Sequence, residues 1–208
     1  MLLHPSLGEY WTQASPSHTT ASHQRWGSDV TDLTLAGQFL VATPIIASQS
    51  FEKSVVFLLE HGDTGTIGVV LNRPTDLLVE EHLPGFGGML SDPPIVFLGG
   101  PVSSDTAIAL GRGTAIEFLK PSAHPQVGLV DVGHPLAGLD SLRIFAGYAG
   151  WEPNQLEAEL AEGAWWVLFP DIEEVFTSQV DRMWERAVER APGTIPLYAT
   201  YPADPTSN

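Results

Sequence analysis

Three short segments carry the residue types that could do chemistry. They are Gly68-Val69-Val70-Leu71-Asn72-Arg73-Pro74, Phe97-Leu98-Gly99-Gly100-Pro101-Val102, and Phe145-Ala146-Gly147-Tyr148-Ala149-Gly150-Trp151-Glu152-Pro153-Asn154-Gln155-Leu156-Glu157-Ala158-Glu159-Leu160. Each joins an apolar run to glycine, proline and a few specific polar side chains. Asn72 and Arg73 set an amide beside a guanidinium, donors suited to an anion or a peptide carbonyl. Gly99 and Gly100 allow close backbone approach or a sharp turn. Trp151 and Gln155, four apart, would share one face at the start of a helix.

These residues define a candidate ligand- or partner-binding set: Asn72, Arg73, Gly99, Gly100, Trp151 and Gln155. In it Arg73 anchors a small anion or a peptide, the glycines admit it to the backbone, and Trp151 forms an apolar wall. The competing reading is structural. Asn72 and Gln155 satisfy loop backbone groups, Arg73 pairs with Glu159 or another acid, and Trp151 fills the core, because buried polar groups must be paired in any case.

No catalytic residue is assigned, and no metal or cofactor is expected. There is no G-x-x-x-x-G-K-[ST] loop. Gly111-Arg112-Gly113 and Gly85-Phe86-Gly87 begin like G-x-G-x-x-G, but Ile116 and Leu90 stand where the third glycine belongs. G-x-S-x-G and H-E-x-x-H are absent. The histidines do not pair with carboxylates at helical metal-ligand spacing. Cysteine is absent, which excludes disulfides, thiolate catalysis and cysteine-based zinc sites.

Composition narrows the partners. Of the 208 residues, 25 are acidic and 9 basic, a formal net charge of -16. Lysine occurs only at 53 and 120, so phosphate neutralisation by a basic face is disfavoured. Arg182, Arg186 and Arg190 are the one arginine cluster, and their spacing reads as a solvated helix face with Arg182–Glu185 and Arg186–Glu189 pairs. Anionic membrane surfaces are disfavoured by the same charge. No apolar run is long enough to cross a bilayer, and Met1-Leu2-Leu3-His4-Pro5 does not read as a secretory signal. A cytoplasmic setting is expected.

The elements that must position the candidate residues follow from periodicity. Residues 1–30 read as a disordered or loosely attached tail, polar and without period, and 31–208 as one domain. Phe39–Ala42 is a buried strand. Residues 54–60 and 66–72 form a hairpin with a loop over 61–65. Thr75 or Asp76 caps a short helix reaching Leu83. Strands follow near 95–98, 106–110, 126–130 and 142–146, too closely spaced for helices between them, so the sheet is antiparallel or mixed in an α+β domain. Then come a helix over 154–162 stopped by Gly163, a strand over 165–169, a short helix capped by Asp171, and a longer one. The longer helix buries Phe176, Val180, Met183, Trp184, Ala187, Val188 and Ala191.

The order and spacing of L-N-R-P, G-G-P-V and G-Y-A-G-W…Q-L-E-x-E-L resemble the AlgH-like (YqgE) family of bacterial proteins, from about Gly37 to the final long helix. One departure is Asn154, where the family commonly has glycine; asparagine tolerates left-handed backbone well. The resemblance implies an α+β fold whose mixed or antiparallel sheet is strongly bent, resembling a barrel, flanked by helices. It implies the bacterial cytosol and supplies no mechanism. The functional expectation is a non-catalytic regulatory or binding protein acting through an unknown protein or small ligand. One alternative is an enzyme using an Asn/Arg/carboxylate site on a small metabolite. The other is the transcriptional regulator that the family label suggests.

Overall fold

The computed structural model describes residues 34–46, 48, 50–114, 120–121, 124–133 and 137–200. These belong to one compact unit that begins at Thr34. The expected tail over 1–30 lies outside the described residues.

The unit is a mixed sheet curled into a half-barrel with a few short helices. Its strands are β1 (Phe39–Ala42), β2 (Val55–Gly62), β3 (Gly65–Val70), β4 (Pro74–Leu78), β5 (Ile95–Leu98), β6 (Val102–Gly113), β7 (Lys120–Pro121), β8 (Val127–Leu129), β9 (Leu139–Trp151) and β10 (Trp165–Leu168). The main path runs β10-β1-β2-β3-β9-β6-β8-β7, and β4 and β5 attach beside β9. β5 runs parallel to β9, while the other pairings are antiparallel, so the sheet is mixed. The α-helices are α1 (Val79–His82), α2 (Gln155–Ala161), α3 (Ile172–Val175) and α4 (Met183–Glu189).

The near-continuous apolar character of β1 to β3 has a simple cause: both of their faces are covered. Phe39, Val41, Val55, Phe57 and Val69 point to a core closed by Val175, Phe176, Met183, Trp184 and Val188. The alternate residues Leu40, Ala42, Val56, Leu58 and Val70 point to a second core closed by Leu156 and Trp165. A strand that alternates between two dry faces shows no polar period in its sequence.

Four local expectations need correction. The hairpin loop shrinks to Asp63-Thr64, because β2 extends to Gly62 and β3 starts at Gly65. Thr75 does not cap a helix. It lies in β4, where its hydroxyl donates to the Val96 carbonyl at 2.6 Å and accepts from Leu77 N at 3.1 Å. α1 therefore starts only at Val79, without a side-chain cap. Trp151 closes β9 rather than opening a helix, and α2 starts at Gln155. The final helix is only Met183–Glu189, preceded by a 3-10 turn at Val180–Arg182, although the apolar stripe is buried as expected. Asn154 adopts φ 64 ahead of α2, the left-handed geometry for which glycine or asparagine is suited.

Candidate functional site

Backbone contacts join the three motif segments at one junction. Gly68 pairs with Ala149 across β3 and β9. The Val70 amide donates to the Gly99 carbonyl at 2.8 Å, and the Gly99 amide donates to Ala146 O at 2.8 Å. A β-carbon on Gly99 would lie 2.2 Å from the Gly147 carbonyl oxygen, and one on Gly100 would lie 2.2 Å from that of Tyr148. G-G-P-V thus presses against G-Y-A-G with no room for a side chain.

From that junction the candidate side chains diverge. Asn72 and Arg73 follow β3 and turn toward residues 52–55. Asn72 Nδ2 donates to Lys53 O at 2.8 Å, while its Oδ1 accepts from Val55 N at 3.0 Å. Arg73 donates from Nη1 to Asn72 O at 3.2 Å and from Nη2 to the Glu52 carbonyl. Burial lowers the Arg73 pKa from its ordinary value, and the Glu52 charge partly offsets this. Glu159 is not the partner of Arg73.

Trp151 and Gln155 face elsewhere. Trp151 sits opposite Thr66, near the start of β3, and Asn72 follows its end. Trp151 Nε1 donates to Glu159 Oε2 at 2.9 Å, and Trp165 Nε1 donates to the same oxygen at 2.7 Å. Gln155 Nε2 donates to Oε1 at 2.9 Å, and its own Oε1 accepts from Glu152 N at 3.0 Å. The result is a carboxylate clamped by two indoles and an amide. Phe51 links the two groups. Its ring centroid is 6.3 Å from Trp151 and 5.6 Å from Trp165, and the next two residues supply the carbonyls held by Arg73 and Asn72.

Two charged sites lie in or near the core. Arg143 is only 2% exposed and, among the described residues, pairs with no carboxylate. It donates to the carbonyls of Val175 (3.0 Å), Asp92 (2.8 Å) and Thr177 (2.8 Å), and stacks 4.6 Å from the Phe97 ring centroid. Burial lowers its pKa to about 10. Glu174 accepts from Arg186 Nε at 2.9 Å and Nη2 at 2.6 Å, and from Arg190 Nη1 at 2.9 Å. Burial pushes its pKa up, but the hydrogen bonds and charges of Arg186 and Arg190 outweigh this and leave it lowered. The expected Arg186–Glu189 pair is thus replaced by one reaching α3. Arg182 lies 3.8 Å from Glu189 rather than pairing with Glu185.

An open cleft of about 700 Å³ is lined by Arg112, His124, Gln126, Asp140 and residues 170–173. Arg112 already donates to Glu173 at 2.6 Å, whose pKa its hydrogen bond and charge lower. Among the described residues no group of three or more histidines and carboxylates is gathered to hold a metal ion.

The family model described as DUF179, AlgH-like, matches residues 39–196. The chain belongs to the AlgH-like family. A UPF0301 protein of Streptomyces coelicolor is 43% identical over 184 residues, covering 84% of this chain and 95% of that protein. The crystal structure of protein DIP2367 from Corynebacterium diphtheriae superposes with a TM-score of 0.74 at 25% identity, over 84% of this chain and 95% of that one. The solution structure of AlgH from Pseudomonas aeruginosa, a UPF0301 protein, gives a TM-score of 0.62 at 26% identity, over 86% and 98%. The three AlgH-like motifs lie inside the matched span, and it is their glycines that the sheet junction requires.

Sequence reasoning missed the roles of Trp165, Arg143 and Glu174. Arg143 left a signal: it alternates with Leu142 and Ile144 and so shares the face of the buried Phe145. Trp165 left none, because its partner is fixed only by the approach of α2 to β10.

Proposed function

We propose that this AlgH-like chain is a non-catalytic binding protein that acts through contact with another protein, docking beside Arg73. The observation that carries the reading is the exposed apolar side chains on the strands beside it. Leu77, Leu78 and Leu98, on the paired strands β4 and β5, are 49%, 44% and 47% exposed. Leu98 is tied directly to Arg73, its amide donating to the Arg73 carbonyl at 2.8 Å. Exposed large apolar side chains on this strand pair favour a protein contact over a small-molecule site.

In this reading the six candidate residues divide the work. Gly99 and Gly100 lock the strand pair to β9, Asn72 and Arg73 fix its entry, and the Trp151–Gln155–Glu159 clamp holds α2. Arg73 offers the rim of the docking surface a half-buried charge. A cytoplasmic setting belongs to the same proposal. The enzyme alternative has one observation behind it, the open cleft at Arg112, but Arg112 there is engaged by Glu173. The DNA-binding alternative would need the α4 arginines, and Arg186 and Arg190 are engaged by Glu174 and Asp171.

The test compares full-length wild type with Arg73→Ala and with Leu77→Glu/Leu98→Glu as baits in native lysate. The proteins and metabolites retained are identified by mass spectrometry, and circular dichroism verifies folding. A partner held by wild type and lost from both folded variants supports the reading. Retention by both, or turnover of a co-purifying metabolite, overturns it.

A further inference from the structure

β10 is an edge strand. It pairs with β1 on one side, and among the described residues nothing follows it in the sheet path. The pairing pattern fixes which of its backbone groups are free. Thr43 N donates to Ala164 O, and Ala42 N donates to Ser54 O, so alternate residues of β1 face β10 and β2 in turn. With Val41 opposite Trp166 and Phe39 opposite Leu168, the backbone groups of Trp166 and Leu168 face β1. Those of Trp165 and Val167 point to the open side.

Proteins usually guard such an edge with lysine, proline, a bulge or a very short strand. β10 is four residues long, and residues 165–169 read Trp-Trp-Val-Leu-Phe, without charge or proline until Pro170. The outward side chains are apolar as well. Val167 is 38% exposed and Phe169 is 90% exposed. Both continue the face on which Trp165 is covered by the Glu159 clamp, beyond the reach of that cover. The chain then turns directly into the open cleft, lined by Pro170–Glu173 and by Asp140.

We propose that the free edge of β10 is a second docking surface, which takes an extended, basic segment of a partner protein as an added strand. The added backbone pairs with the free groups of Trp165 and Val167. Its alternate apolar side chains lie on Val167 and Phe169. A lysine or arginine beyond them enters the cleft beside Asp140, where Asp171 and Glu173 are already paired with Arg190 and Arg112. Charge selects this occupant. The chain carries a net charge of -16, and an exposed acid, Glu162, stands before β10 as Asp171 and Glu173 stand after it. A second copy would bring another chain of net charge -16 against this edge, whereas a basic segment meets opposite charge at Glu162 and Asp140.

The surface is separate from the Leu77–Leu98 strand pair, so its failure leaves the docking proposed beside Arg73 untouched. The probe is a fluorescein-labelled peptide pool of about seven residues with Lys alternating with Val, Ile, Leu or Phe. It is titrated against the full chain by fluorescence anisotropy, and backbone amide exchange is followed over 163–170. Binding should slow exchange at Trp165 and Val167. Phe169→Ser, a change at a side chain already in solvent, should weaken binding about tenfold, equivalent to about 1.4 kcal/mol. N-methylation of alternate peptide amides, or replacement of Lys by Glu, should abolish it. Equal binding of methylated and unmethylated peptides would reduce the interaction to charge alone and overturn the proposal. Absence of binding would do the same. So would a dimer in sedimentation whose edge amides are already protected without peptide, since the edge would then belong to a second copy.

Discussion

Replacing Glu159 by leucine isolates the carboxylate clamp. Its Oε2 accepts from both Trp151 Nε1 and Trp165 Nε1, and these tryptophans are only 7% and 5% exposed. Leucine keeps comparable bulk and provides no acceptor. Each buried donor left unpaired costs about 1–3 kcal/mol, so the pair should cost roughly 2–6 kcal/mol before relaxation. Partial solvent access at Glu159 and the added apolar contact bring the expected loss to about 2–4 kcal/mol. With a urea slope of about 2 kcal/mol/M, the unfolding midpoint should fall by roughly 1–2 M. Glu159→Gln should lose less, about 1 kcal/mol, because one amide oxygen can still take both indoles. Its amide nitrogen then faces the Gln155 amide, whose own oxygen is held by Glu152 N. Urea unfolding followed by tryptophan fluorescence gives both numbers. Indole N–H resonances add a local check, since two of them should shift in either variant. A Glu159→Leu protein within about 0.5 kcal/mol of wild type, or a glutamine variant weaker than the leucine one, would refute the reasoning.

Gly99→Ala should destabilise by more than about 2 kcal/mol and loosen the Val70 and Gly99 amides in hydrogen exchange, because its β-carbon would lie 2.2 Å from Gly147 O. Glu174→Gln should cost about 2–3 kcal/mol at pH 7. The lowered folded-state pKa of Glu174 means that its contribution is present above the ordinary value of 4.5 and fades as pH falls through the folded value. The gap between variant and wild type in urea titrations should therefore close below about pH 4.5 and stay constant above it. Arg143→Met removes a desolvated charge, yet it leaves the carbonyls of Val175, Asp92 and Thr177 without a donor. The second effect should win, with a loss of about 2–4 kcal/mol and faster amide exchange at the end of α3. A variant as stable as wild type would show that water replaces the guanidinium.

Sequence alone determined the strand-rich order, the apolar stripe of the last helix and the Asp171 cap. Each rests on local backbone preference or on a period of two or three to four, which neighbouring residues encode. The AlgH-like motifs were legible because their glycines answer steric demands that admit few substitutes. Partners distant in sequence were not legible. Nothing local says that Asn72 reaches back to Lys53, that Trp165 and Trp151 share the oxygen of Glu159, or that Arg186 crosses to Glu174 instead of pairing along its own helix. Nor does β10 differ in sequence from an interior strand. Its free side follows from its place at the end of the sheet, and the sheet path is set by which backbones can close on one another, a property of the assembled fold.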